Sequence, residues 1–534
     1  MTPAMSAASP TSSELGGGAG AAAPAAGPVP HRGLVTICAM VATLMQALDG
    51  TIANVAMPYM QGGLAATAEQ ITWVLTSYII AAAIMTAPVG FLAARYGRKA
   101  VFLASVGGFT VASVLCGAAQ SLEQMVVFRL LQGAFGAALV PLSQSTMLDI
   151  YPPEQRGQAM ALWGMGVMVG PILGPTLGGI LTEQWNWRWV FYVNLPFGLL
   201  AFLGLLLFMQ PERADAGRRF DWFGFLALSA GVGALQLLLD RGEVRNWFGS
   251  TEIIVEAVVA GLGLYLFVVH VATAERPFIP RGLFRDRNFA AGMGVWFLVG
   301  AVLFATAALL ATYLQTLGRY PVLTAGLLLA PRGFGVMVAM IVAGRLANRH
   351  DPRLVMLSGI LLLAWTLWDI TGWTPDVSVR WLVVVTVAQG VALGFIFIPL
   401  NLLSFATLEP ALRTDGTALV SLLRNIGSAI GIAGVAAMLA RGTQAMHADL
   451  AAHASPLNRI FEVPSIARFW DLDTARGLAL LNEEVTRQAA IVAYANDHRL
   501  LLGLALGMLL LVPLMRRPPR EAAGGAGAGH AVVD

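Results

Sequence analysis

The sequence predicts an all-α integral membrane protein: two six-helix bundles plus two extra linking spans, fourteen transmembrane helices in all. Three observations carry that expectation. Hydrophobic residues make up 57% of the 534 and charged ones only 12%, about half of what soluble domains carry and too few to cover their surfaces. Apolar stretches recur from Leu34 to Met515, and a helix of about 20 apolar residues crosses a bilayer core of roughly 30 Å. The stretches group as six, two and six, as a duplicated transporter with an inserted pair would.

Taken in order, residues 1–32 are rich in Ala, Gly, Pro and Ser and hold no basic residue before Arg32. They lack the charged start and apolar core of a secretory signal and read as a disordered tail. The first bundle, 33–209, has spans near 34–57, 71–93, 100–118, 124–147, 158–182 and 189–209. A linker at 210–288 opens on PERADAGRRFDW and carries the extra spans near 223–240 and 251–271. The second bundle, 289–515, has spans near 289–312, 325–346, 354–372, 380–407, 416–440 and 498–515. Its outer loop 441–497, with Phe461, Phe469 and Trp470 among charges, reads as a helix lying at the interface or as a docking or gating element. A short tail, 516–534, follows.

Basic residues set the orientation. With the N-terminus inside, 19 of the 33 Lys and Arg fall in inner segments and 11 in outer ones, the 441–497 loop and Arg499 included. The excess places both termini in the cytoplasm. Scattered in short loops, these charges form no nucleic-acid face. Cys38 and Cys116 lie near opposite faces, too far apart for a bridge. The seven histidines form no close helical pair, and no phosphate loop or nucleophile elbow stands in a suitable context, so no enzyme is expected.

The three remaining basics, Arg129, Arg332 and Arg424, fall inside spans, where an ionisable group costs at least a few kcal/mol and marks a functional candidate. Asp49 stands 15 residues after Leu34, about 22 Å above the inner edge at 1.5 Å per residue. Arg129 follows Glu123 by six residues, which puts it about 21 Å above that edge. At one depth, carboxylate and guanidinium can pair and lower each other's burial cost. Burial favours the neutral acid and Arg129 the carboxylate, so their separation would decide when a proton leaves. A static pair that fixes helix packing is the alternative. Arg332 and Arg424 have no acid at a comparable position.

Several strings then point one way. LMQALDGTIANVAMP at 44–58 resembles the first-span signature of the fourteen-span drug–proton antiporters of the major facilitator superfamily, with Asp49, Thr51, Asn54 and Pro58 at the family's positions. GFLAARYGRK at 90–99 resembles the superfamily's cytoplasmic latch loop through Gly90, Leu92, Arg95, Gly97, Arg98 and Lys99, but Ala94 stands where the family has an acid. RLLQGAFGAALVP at 129–141 resembles the R-x-x-Q-G motif through Arg129, Gln132, Gly133 and Gly136. GVMVGPILGPTLGG at 166–179 resembles the antiporter motif: Gly166, Gly170, Gly174 and Gly178 form a flat stripe, and Pro171 and Pro175 bend the helix. WNWRWVFYVNLPFG at 185–198, the string from Phe220 to Glu243, APRGFGVMVAMIVAGRL at 330–346 and RNIGSAIGIAG at 424–434 extend the match, which is closest to EmrB-like multidrug efflux transporters.

The resemblance implies a major facilitator fold and a proton-driven antiporter in the inner membrane that exports amphipathic drugs or toxic compounds by alternating access, with no cofactor beyond the proton gradient. It implies proton coupling at Asp49 and Arg129 and a latch weakened by Ala94. The glycine stripe would be a surface on which the bundles rock, and Gln46, Asn54, Gln132 and Arg332 would line the cavity. Its partners would be small amphipathic substrates, protons, a periplasmic adaptor and an outer-membrane channel, with no nucleic acid. An exporter of one endogenous metabolite, siderophore or lipid, or a transport-dead membrane sensor, fits the same spans.

Overall fold

The computed structural model describes residues 31–211, 215, 217, 219–275, 277–453, 463, 470 and 474–516. The tails expected at 1–32 and 516–534 fall almost wholly outside these residues, as do Phe461 and Phe469.

Twelve helices among the described residues are long and apolar enough to cross a membrane, and thirteen if one bent pair is a single span. The glycine-rich helix Arg156–Gln184, 29 residues long, takes the fifth place and brings the count to the fourteen expected. In order, the spans are Arg32–Gly63, the bent pair Glu69–Thr86 with Val89–Tyr96, Arg98–Ala118, Leu122–Ile150, Arg156–Gln184, Trp189–Phe208, Trp222–Arg241, Thr251–Thr273, Arg287–Thr316, Val322–Arg349, Pro352–Ile370, Val379–Phe405, Arg413–Ala452 and Ala475–Leu511. An even number of spans returns residues 31 and 516 to one side, called here the terminal face; the other is the distal face.

Local chemistry explains the breaks. Span 2 bends by 54° at Ala87–Pro88, where proline removes a helical N–H donor. Gly97, at φ 86°, takes the left-handed region that favours glycine and lets span 3 begin at once. Asp221, Asp286, Ser378 and Thr474 each accept a backbone N–H at the start of spans 7, 9, 12 and 14.

The first six spans and the last six form separate bundles. Spans 7 and 8 pack on each other where Gly231 meets Gly263, and span 7 rests beside spans 2 and 13. Span 8 turns Val255, Val258, Leu262, Tyr265 and Val268 outward, as a peripheral helix facing lipid does.

The expected outer loop is corrected. Span 13 runs 40 residues and span 14 runs 37, each about 55–60 Å long and so roughly twice the hydrocarbon thickness. Residues 441–452 and those from 475 onward belong to these two helices without a break, with helix-forming Ala, Leu, Glu and Gln and no proline, and about the last 20 residues of span 14 suffice to cross the membrane. They pack as a pair, Gly442 against Ala493 and His447 bonded to Asn482 at 2.9 Å. The hairpin stands off the distal face instead of lying flat on it.

Candidate functional site

Asp49 and Arg129, at one depth by residue count, meet as an ion pair between spans 1 and 4. Arg129 Nη1 lies 2.7 Å from Asp49 Oδ2, with both side chains fully buried. The other carboxylate oxygen accepts from Gln132 Nε2 at 2.8 Å and from Asn194 Nδ2 at 3.4 Å. Arg129 Nη1 also donates to Gln132 Oε1 at 2.9 Å, and its Nε donates to the Val74 carbonyl at 2.9 Å. The guanidinium carbon sits 4.2 Å from the centre of the Tyr78 ring, a cation–π contact. Asn194 is held by Ser113 at 3.0 Å, which itself donates to the Phe191 carbonyl. Spans 1, 2, 3, 4 and 6 therefore converge on one charge pair.

Such a network is balanced only while it is whole. Removing one partner of a buried pair costs about 3–5 kcal/mol because the other charge is left alone. The residues that complete it were visible in the sequence but unmarked there: Asn194 stands in FYVNLPFG, and Tyr78 precedes Ala81, where span 2 packs on Gly133. Gln132, expected in the cavity, is instead fully buried within this network.

Of the other cavity candidates, Asn54 is exposed and donates to the Gly50 carbonyl at 3.3 Å, and Gly50 has nothing within 4 Å of its side-chain position. Gln46 and Arg332 are half-buried.

The glycine stripe takes a different partner from the one expected. Gly166 faces Met40, Gly170 faces Ala47 and Leu48, Gly174 faces Thr51, and Gly178 faces Ile52. All four seat span 5 on span 1 within one bundle, and Gly170 and Gly174 bracket the turn that carries Asp49. Span 5 meets the second bundle through another face, where Gly157 meets Gly344 and Gly164 meets Met340. Pro171 and Pro175 stand in the same helix; their side chains lie outside what is described.

The latch loop sits at the terminal face, and its residues divide. Arg98 reaches Asp149 on span 4 at 2.6 Å, and the same carboxylate takes Arg413 of span 13 at 2.6 Å. Asp149 thus clamps the latch loop to the second bundle. Arg95 lies over Tyr96, and Lys99 donates to the Leu206 carbonyl at 2.8 Å, so Lys99 stays within its own bundle. Gly90 lies directly against Asp415, in the first turn of span 13. A carboxylate favours a helix N-terminus, so the acid missing at Ala94 has a counterpart on the opposite wall.

Thr417 donates to the Pro141 carbonyl, and Gln144 bonds Asn401. Among the described residues, the hydrogen bonds and ion pairs that join the two bundles all lie in the half nearer the terminal face. The molecule is closed there, and Asp49 is sealed inside.

The family model for the Major Facilitator Superfamily matches residues 39–432. The chain belongs to the Major Facilitator Superfamily. It is 34% identical over 500 residues to "Fatty acid resistance protein FarB" of Neisseria gonorrhoeae, covering 93% of this chain and 97% of that one. It is also 34% identical over 505 residues to "Multidrug export protein EmrB" of Escherichia coli K12, covering 93% and 98%. The superfamily fold recurs in the solved proton:xylose symporter XylE, with TM-score 0.57, 14% identity, and 90% and 95% of the two chains covered. Within the superfamily this chain is an EmrB-like, multi-pass efflux transporter and not an enzyme.

Proposed function

We propose that the protein is a proton-driven antiporter that exports amphipathic compounds, with Asp49 as the proton-carrying group. The observation that carries this reading is a carboxylate wholly buried inside the membrane and held by Arg129, Gln132 and Asn194. A purely structural role would be filled at lower cost by apolar contacts. Each time the bundles reopen, the network is exposed to one side and Asp49 can exchange its proton. A proton and a substrate that favour opposite orientations are then coupled by their differential affinities.

The positive-inside count supports a cytoplasmic terminal face in the inner membrane. The curated relatives named for multidrug export and fatty acid resistance support small amphipathic substrates. The helical hairpin of spans 13 and 14 offers a periplasmic adaptor, and through it an outer-membrane channel, a rigid surface clear of the membrane. Everted vesicles test the proposal: Asp49→Asn should abolish pH-gradient-driven substrate uptake at unchanged protein level. Uptake at the wild-type rate would overturn it.

A further inference from the structure

The second bundle carries two half-buried arginines and a fully buried glutamine inside the membrane. Arg332 lies ten residues inside span 10, which begins at Val322 on the distal side, so it is about 15 Å deep. Arg424 lies eleven residues from Arg413 at the terminal end of span 13, about 16 Å from that face. At those depths neither stem reaches an interface to snorkel.

Both arginines border span 9. Arg332 Nη2 makes one long hydrogen bond, 3.4 Å, to the Leu303 carbonyl. The backbone of Arg424 rests against Gly300, one turn away. Arg424 Nε is buried with no partner, and among the described residues neither guanidinium has a carboxylate within salt-bridge distance. Gln389 stands at matching depth, ten residues after Val379. It is fully buried with both ends of its amide unbonded, and its neighbour Gly390 lies against the Arg332 carbonyl.

Arg332 points away from most of the exposed apolar side of span 10. Leu327, Phe334, Val338 and Ile341 lie roughly 120–180° around the helix from it, and Val342 about 80°. Two guanidiniums carry ten N–H donors, and the buried acid of this half, Asp497 on span 14, forms no ion pair with either among the described residues.

We propose that Arg332 and Arg424, with Gln389, form an anion-recognition region that receives the negatively charged head of an amphiphilic substrate, carboxylates above all, while its tail lies along apolar wall. This rests on the export reading and names its substrate class. Arg129 cannot serve, because Asp49 already neutralises it.

The test uses the full-length protein in neutral-lipid nanodiscs and three probes with the same tail: dodecanoate, dodecylammonium and dodecanol. Dodecanoate should bind most tightly. Arg332→Gln and Arg424→Gln should each weaken it tenfold or more and leave the ammonium unchanged, and Arg332→Lys should recover part of the loss. Equal binding of all three probes, or dodecanoate binding insensitive to both glutamine variants, overturns the proposal. Thermal unfolding of each variant guards against misfolding, and if a glutamine variant fails to fold, retention of dodecanoate selectivity by Arg332→Lys and Arg424→Lys decides.

Everted vesicles separate this proposal from the export reading. Gradient-driven uptake of dodecylammonium but not dodecanoate would sink the anion region and leave export standing. Dodecanoate binding lost in the glutamine variants, with no gradient-driven uptake of any probe, would do the reverse.

Discussion

The two bundles treat an arginine inside the membrane in opposite ways. In the first, Arg129 is enclosed by Asp49, Gln132, the Val74 carbonyl and Tyr78. In the second, Arg332 has one long bond to a carbonyl and Arg424 an unpartnered Nε. Arg129 Nη2 also lacks a hydrogen-bond partner, so what separates the two halves is the counter-charge: Asp49 neutralises Arg129, and among the described residues no carboxylate pairs with Arg332 or Arg424. All three arginines lie inside the membrane; the difference is whether a neighbouring span brings an acid to the same level.

That contrast can be broken at several points. Asp49→Asn should give the largest effect, with gradient-driven export reduced at least 100-fold in everted vesicles while the protein still inserts. Next, Asp49→Leu or Arg129→Leu alone should lower stability by about 3–5 kcal/mol, read as a fall in thermal midpoint, because each strands a buried charge. The double variant should regain most of that stability and none of the transport. If the singles and the double unfold alike, the pair is not the balanced unit described here.

Gly174→Ala tests the seat of span 1, since the added methyl meets Thr51. A cost of about 1–3 kcal/mol in thermal unfolding is expected, with a parallel fall in transport because Thr51 lies half a turn from Asp49. The smallest effect belongs to Asp149→Asn. Its two largely buried ion pairs contribute at least on the order of 1 kcal/mol each, so their loss should shift the closed terminal face toward open by about 5- to 30-fold. Labelling of a cysteine placed between spans 4 and 13 from the terminal side would report it, and unchanged labelling would mean that the clamp does not hold the closed state.

The ion pair was legible because both partners can be placed by counting residues from a membrane edge. Asn194 and Ser113 were not, since nothing in a sequence says which polar residue on a third and a fourth span will turn toward a given carboxylate. The glycine stripe was legible as a close-packing surface, but its partner was not, because a flat face fits any approaching helix. Residues 441–497 misled for a related reason. Their polarity excluded them from the membrane, but polarity does not end a helix, and the absence of Pro before Pro456 was the available signal. Asp497, buried in span 14, was lost to the same misplaced boundary.

By itself the sequence determined the class, the fourteen spans, the family and the two residues of the central charge pair, because hydrophobicity, spacing and charge count are properties of the chain read in order. Only the tertiary structure decided that Asp49 is sealed inside a molecule closed at its terminal face, that Asp149 clamps Arg98 to Arg413, and that Arg332 and Arg424 have no acid paired with them among the described residues. Those outcomes depend on which helix faces meet, and a buried charge acquires its meaning from the groups that other spans bring within about 3 Å of it.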